Sequence, residues 1–469
     1  MQLSEETTKS LAENQQEHLV QFWDELDEQE QSRLQKQIAE IDFALLKKLI
    51  TKRDQAATEE SGADKAKKAT SPEQLVRLPQ DEDQIEERKK AAQVGNALLA
   101  SGKVGAILVA GGQGSRLGFD NPKGMYPIGP VSQRTLFEIL AEQVLARSQR
   151  AGVVIPYFIM TSEATHSSTE KFFEEHEYFG LGQENIFFFQ QSSLPAIDDS
   201  SHQILLAEKG KVATSPDWHG GMLNALNKHG MLDVMRERGI EHLFYHQVDN
   251  PTAIVCDPVL LGLHQQYGSD LTTKVVAKAT PEEKMGVLVS INAKTEIIEY
   301  SDLPGEEAHR KDEHGQYVFW AGNTAIHVFR REFMESLLED ELSLPFHIAH
   351  KKIPHVDSAG ISIDPDQPNG NKFEQFIFDA LLHAKVALVV EGDRQREFNP
   401  VKNASGSDSP ETSKAALARI AKEWVTTAGG EVPKNIKVEI SPLLALDEND
   451  MKEILPDGTV FQKDAVLKN

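Results

Sequence analysis

Residues 109–124 read VAGGQGSRLGFDNPKG, and Gly111, Gly112, Gly114 and Gly118 crowd the first part of this segment. A run that closes on glycines marks a place where the chain turns tightly and can bring bare backbone N–H groups to a ligand. The apolar residues 103–110 before it read as a strand, and the helical spacing of 135–149 after it completes a strand, loop and helix. Arg116 can offer a bidentate fork and Lys123 a movable point charge, with Pro122 stiffening the approach, so the loop suits a polyphosphate. It matches neither common nucleotide fingerprint. GGQGSRLG lacks the GK[ST] ending of a Walker loop, and Gly112, Gly114 and Gly118 are not spaced as G-x-G-x-x-G, which argues against an NTPase or a dehydrogenase. Taken alone, the same residues would also serve as a glycine-rich turn with surface cations.

Outward from the loop, further β-type runs occur at 154–160, 185–190, 242–248, 274–279, 285–292 and 384–390. They alternate with helical stretches such as 168–177 and 221–238. Such alternation predicts an α/β domain with a mostly parallel sheet, helices on both faces and function at the strand ends. Upstream, Leu19, Phe22, Trp23 and Leu26, then Leu34, Ile38, Ile41, Leu45 and Leu46, recur at helical spacing and predict one or two amphipathic helices. Residues 51–73 lack that periodicity and read as a loose connection. After Pro400 the texture becomes polar, then helical near 414–426, then short β-type runs. The expected division is a helical N-terminal region (1–95), a catalytic domain (96–399) and a small α+β C-terminal domain (400–469).

The chain has 469 residues, 39% hydrophobic and 26% charged, which is ordinary for a globular protein able to bury a sizeable core. Its formal charge of −24 opposes nucleic acid and anionic membranes as partners, since phosphate polyanions are held by excess Lys and Arg. A small phosphate ligand then requires a local basic pocket. Cys256 is the lone cysteine, so neither an intramolecular disulfide nor a thiolate zinc cluster can form, and a reducing cytoplasm is expected. The N-terminal residues are polar and acidic, and no apolar run is long enough to span a bilayer. His347 and His350 are spaced for one helix face, but no third ligand completes a metal site.

VAGGQGSRLG followed by NPKGMYPIG resembles the signature of the UDP-sugar pyrophosphorylases, and most of all the UDP-N-acetylglucosamine branch of that family. The likeness continues through QEHLVQFWDEL, MTSEATHSSTEKFF, YFGLGQENIFFFQQSSLPA, VDNP, IIEYSDLP, AGNTAIHVF, HKKIP, PNGNKFEQFIFD, FNPVKNASGSDSPETSKAAL and VEISPL, so it covers almost the whole chain. It implies a Rossmann-like, GT-A-like nucleotidyltransferase fold and a uridylyltransferase. In that chemistry a sugar 1-phosphate oxygen attacks the α-phosphorus of UTP in line and pyrophosphate leaves. Such a transfer asks for positioning and charge neutralisation rather than a protein nucleophile.

Residue by residue, the resemblance implies nucleotide contacts from Val109, Ala110, Gly111 and Gly112, with Arg116, Lys123 and Lys402 as the cations of the transfer. Asp249, at a strand end in VDNP, matches the ligand of a Mg²⁺ or Mn²⁺ cofactor, a hard cation that prefers carboxylate oxygen; the lesser local reading is an Asp that opens a turn before Pro251. Gln191 matches the residue that recognises uracil, and an amide can both donate to and accept from a pyrimidine edge. Glu299, Tyr300 and Asn323 match residues that hold the hexose hydroxyls and the N-acetyl group, and Lys372 is a further candidate near the sugar phosphate. Phe376 and Phe378 could line a wall around an acetyl methyl or simply belong to the core.

One block departs from the family pattern. The usual Pro-Asp-Gly-Asn-Gly-Gly reads Pro216-Asp217-Trp218-His219-Gly220-Gly221 here, placing Trp218 beside the expected uracil and His219 where an amide would contact the sugar. An imidazole there can titrate near neutrality, which bears on acceptor specificity. Glucose, galactose and N-acetylgalactosamine 1-phosphates are therefore rival acceptors. An inactive nucleotide-binding regulator is the rival of another class, opposed by the retention of Arg116, Lys123, Asp249 and Lys402 together.

Overall fold

The computed structural model describes residues 3–55, 62–216, 219–339 and 344–468. Two compact units result, one from Met1–Glu60, Gln191–Met222 and Leu344–Ile377, the other from Ser61–Gln190, Leu223–Ser343 and Phe378–Asn469.

The second unit is built on a ten-stranded sheet: β1 (Leu75–Val76), β2 (Val104–Val109), β3 (Tyr157–Thr161), β4 (Ile186–Gln190), β5 (His242–Gln247), β6 (Leu271–Ala277), β7 (Val287–Ile291), β8 (Lys294–Ile298), β9 (Ala321–Arg330) and β10 (Ala387–Glu391). Its order is β1-β10-β6-β9-β5-β2-β3-β4, with β7 and β8 attached beside β9. β9 runs antiparallel to β5 and β6, and every other pairing along that order is parallel. The sheet is mixed and mostly parallel, as expected. VGAILV in β2 is almost wholly buried because helices cover both faces of a central parallel strand, which favours an unbroken apolar run over alternation.

The helix Leu136–Ala151 starts where Thr135 and Glu138 form a capping box and stops at Gly152, whose φ of 70° is a left-handed C-cap. Helices Glu82–Ala100 and Pro258–Gln266 cross at backbone contact. A Cβ on Gly95 would lie 1.8 Å from the Pro258 carbonyl oxygen, and one on Gly262 would lie 1.7 Å from that of Ala91. Toward the C-terminus, helices Pro410–Thr427 and Glu448–Ile454 and the parallel pair Val438–Ile440 and Ala465–Leu467 enclose a small core of Ala421, Val425, Val432, Val438, Ala445 and Met451.

In the first unit, the apolar residues of the N-terminal segment, Leu11, Leu19, Leu34, Ile38, Leu46 and Leu49 among them, bury against Ile197, Leu206, Val212 and Phe373. An antiparallel sheet of Phe346–Lys351, Gly370–Gln375 and Ile197–Asp198 carries that surface. His347 and His350 therefore sit on a strand rather than on a helix face. Three other expectations are corrected. The helix expected over 221–238 is two, Met222–Lys228 and Met231–Glu237, separated at Gly230 with φ 70°. The stretch 51–73 includes a helix, Gly62–Lys68. The N-terminal segment folds as two 3-10 turns, Glu17–Val20 and Trp23–Glu25, before its helices Glu28–Ala39 and Phe43–Gln55. Among the described residues, no helix is long and apolar enough to cross a membrane.

Candidate active site

The glycine loop leaves β2 at the carboxyl ends of the parallel strands. Ala110 N–H still donates to Met160 O (2.8 Å), after which Ser162 Oγ donates to Gly111 O (2.8 Å) and Lys123 N–H to Gly112 O (3.0 Å). These bonds close the loop on itself and leave Gly112 exposed, with open space where a side chain would be. Two glycines are required sterically. A Cβ on Gly114 would strike Phe119, and one on Gly124 would enter the Phe137 ring at 2.2 Å. Gly118, at φ 66°, ends the 3-10 turn Ser115–Leu117 that carries the exposed Arg116.

Asp249 follows β5, the strand paired in parallel with β2 through Gln247 and Val109. Its Oδ2 lies 3.7 Å from Lys123 Nζ, and both side chains are about one-sixth exposed, 17% for Lys123 and 16% for Asp249, so the pair is sheltered yet open to a ligand. Lys402 reaches the same end of the sheet by a separate path. Val401 N–H donates to Asp249 O (2.8 Å), and the carbonyl of Asp408, at φ 51°, accepts from Lys402 N–H (2.6 Å) and Asn403 N–H (2.9 Å). Lys402 Nζ sits 5.2 Å from the centre of the Phe398 ring. Burial raises the Asp408 carboxyl above its ordinary range, and Lys402 opposes that shift. Lysine, carboxylate and second lysine are thus gathered on adjacent loops.

Among the described residues, no cluster of three or more His, Cys, Asp or Glu side chains could hold a metal ion. One accessible carboxylate fits Mg²⁺, which keeps several waters and binds through one or two carboxylates plus substrate phosphates.

Glu299 and Asn323 are also brought together, around Gly286. Asn323 N–H donates to Gly286 O (2.9 Å), and a Cβ on Gly286 would lie 2.8 Å from Glu299 Oε1. Asn323 Oδ1 accepts from Ala325 N–H (2.9 Å) at the bulge of β9, where the register against β6 shifts. Tyr300 is half exposed and Phe378 is buried in the second unit.

Gln191, His219, Lys372 and Phe376 belong to the first unit. Lys372 and Glu374 share one face of the strand Gly370–Gln375, opposite the buried Asn371, Phe373 and Gln375, and Phe376 follows that strand. Phe376 rests against His219 and His347, with ring centres 5.6 and 4.8 Å apart. Gly220 fits because a Cβ there would meet the backbone of Gln375 and Phe376. His219 Nδ1 accepts from Ile377 N–H (3.1 Å), which fixes a neutral tautomer, and burial pushes its pKa down to about 4. The expectation that this imidazole titrates near neutrality is corrected. Trp218 lies outside the described residues. Phe376 ends a strand whereas Phe378 lies in the 3-10 turn Ile377–Leu382, so the pair does not alternate along one strand.

Ser162 and Asp408 hold the two loops in shape without having been singled out from the sequence. Each is a small polar residue in a loop, and only the fold reveals which carbonyl or N–H it meets.

Residues 45–463 match the family model described as UTP–glucose-1-phosphate uridylyltransferase. The UDP-N-acetylglucosamine pyrophosphorylase of Saccharomyces cerevisiae is 37% identical over 80% of this chain and 80% of its own. The human UDP-N-acetylhexosamine pyrophosphorylase-like protein 1 is 34% identical over 96% of this chain and 94% of its own. The crystal structure of the Trypanosoma brucei UDP-N-acetylglucosamine pyrophosphorylase shares the fold at 24% identity, with a TM-score of 0.83 over 99% of both chains. With the family model matched over most of its length, the chain belongs to the UTP–glucose-1-phosphate uridylyltransferase family.

Proposed function

We propose that the protein transfers the uridylyl group of UTP to N-acetylglucosamine 1-phosphate, giving UDP-N-acetylglucosamine and pyrophosphate. The observation that carries this reading is the convergence of Lys123, Asp249 and Lys402 on one end of the sheet, with Lys123 Nζ 3.7 Å from Asp249 and the Lys402 loop bonded to the Asp249 carbonyl. A phosphate oxygen of the sugar phosphate attacks the α-phosphorus, a new P–O bond forms, and the bond to the bridging oxygen of the pyrophosphate breaks. Nothing in this step needs a covalent protein intermediate.

The backbone of Val109, Ala110, Gly111 and Gly112 would receive the nucleotide, and Arg116 and Lys123 would neutralise the leaving phosphates. Lys402 would screen the charge of the two phosphates as they approach. Gln191 and Trp218 are assigned to the uracil; His219, Glu299, Tyr300, Asn323, Lys372, Phe376 and Phe378 to the sugar phosphate. A neutral His219 carries its one N–H on Nε2, because Nδ1 accepts from Ile377 N–H, so it adds no charge to the sugar site. Asp249 would hold Mg²⁺, which supplies charge neutralisation on the phosphate oxygens when bound. Chelation should therefore abolish turnover and added Mg²⁺ or Mn²⁺ restore it; turnover indifferent to chelator would remove the assignment of Asp249.

The names of the relatives, N-acetylglucosamine in one and N-acetylhexosamine in the other, support an N-acetylated sugar over glucose, while the family description names glucose 1-phosphate. Pyrophosphate release from UTP across a panel of sugar 1-phosphates separates them. Cys256 is buried and its thiol is pushed up to about 12 by that burial, so it takes no part in the transfer.

A further inference from the structure

The two loops that carry Asp249 and Lys402 come from distant parts of the chain and meet at one buried side chain. Asn250 is 4% exposed and uses both ends of its amide. Nδ2 donates to Glu397 O (2.7 Å), while Oδ1 accepts from Asn399 N–H (3.2 Å), Thr252 Oγ1 (2.9 Å) and Thr252 N–H (3.3 Å). Asn399 Nδ2 returns a bond to Thr252 Oγ1 (3.0 Å), closing a ring of polar groups between 249–252 and 397–401. Glu397 is itself immobilised, since its carboxylate pairs with the buried Lys274, whose Nζ also reaches Asp257 Oδ2 at 2.6 Å. Asp257 caps the helix Pro258–Gln266 through Val259 N–H. The amide of Asn250 is thus seated on a rigid part of the core and points its neighbour Asp249 and the incoming residue Val401 toward one place.

From this we infer that Asn250 is a positioning residue: it locks the Lys402 loop to the Asp249 loop and so sets the second lysine against the carboxylate. The inference rests on the roles proposed above for Asp249 and Lys402. Those roles require both groups to meet the same phosphates, and a displacement of about 1 Å in such a site costs on the order of 10²-fold in rate.

The test is a double-mutant cycle in the full-length protein, reading kcat and KM for UTP with Mg²⁺ saturating. Asn250→Ala should lower kcat by roughly 10- to 100-fold with KM for UTP changed by less than about 3-fold. In the Lys402→Ala background the same substitution should cost less than about 3-fold more, because the lysine it aligns is gone. The milder Asn399→Ala, which deletes the bond to Thr252 but keeps the backbone N–H on Asn250, should lower kcat a few-fold, and it stands in should Asn250→Ala fold poorly. A readout apart from turnover is Mn²⁺ binding in the presence of UTP, followed by electron paramagnetic resonance, which Asn250→Ala should weaken several-fold. Equal losses in both backgrounds, or wild-type kcat in folded Asn250→Ala and Asn399→Ala, would overturn the inference. Undiminished turnover in Lys402→Ala and Asp249→Ala is a separate outcome, and it would remove the site reading itself.

Discussion

Single side chains decide the electrostatics of this molecule. Lys123 and Lys402 are held through their backbone N–H groups, by Gly112 O and Asp408 O, so removal of their side chains should act on the reaction rather than on folding. Lys123→Ala and Lys402→Ala are each expected to lower turnover by about 10²- to 10³-fold, with thermal unfolding little changed. Unchanged turnover in both would strip them of their roles. Lys274 is the contrasting case. It is buried between Asp257 and Glu397, and Lys274→Ala would leave two buried carboxylates without their cation, a loss of about 3–5 kcal/mol measured by denaturant unfolding. Histidines removed from water weaken the fold in acid. His219 and His242 are pushed down to about 4 and His246 to about 3 by burial, whereas in the unfolded chain they bind protons near 6.5. The unfolded state then binds more protons below 6.5, so their contribution is complete above that pH and declines as the pH falls through 6.5 toward 4. The His219 ring resonances should stay flat from pH 8 to 6 by NMR, and a midpoint near 6.5 would contradict its burial.

At the level of elements, the crossing of helices Glu82–Ala100 and Pro258–Gln266 depends on two missing side chains. Gly95→Ala and Gly262→Ala each push a Cβ into a backbone carbonyl and should cost about 1–3 kcal/mol, seen as a lowered melting temperature. The strand β2, its loop and the helix after it were legible in the sequence because an apolar run, glycines and the helical spacing of 135–149 all point the same way. β9 was not. Its ladder is broken by the bulge at Thr324 and Ala325, so AGNTAIHVFR shows no clean alternation, and its antiparallel direction follows from pairing that no local pattern encodes. Gly230 likewise split one expected helix through a left-handed turn rather than through loss of apolar spacing. The sheet of the first unit leaves little local signal, because its strands Phe346–Lys351 and Gly370–Gln375 are polar on one face and paired across a long interval of sequence.

For the whole molecule, a formal charge of −24 coexists with a site built from a few convergent cations, which is how an acidic protein handles a small polyphosphate. Lys123, Asp249 and Arg116 could be picked out as a group because their blocks resemble one family, and the structure places Lys123 and Asp249 side by side. The bonds that hold them, from Ser162, Asp408 and Asn250, depend on tertiary partners and carry no local signature. The central claim is uridylyl transfer to an N-acetylated sugar phosphate. It is tested most directly by mixing the protein with UTP, Mg²⁺ and, one at a time, the 1-phosphates of N-acetylglucosamine, N-acetylgalactosamine, glucose and galactose, and measuring pyrophosphate. The account predicts fastest release with N-acetylglucosamine 1-phosphate; release with glucose 1-phosphate alone, or with none of the four, would contradict it.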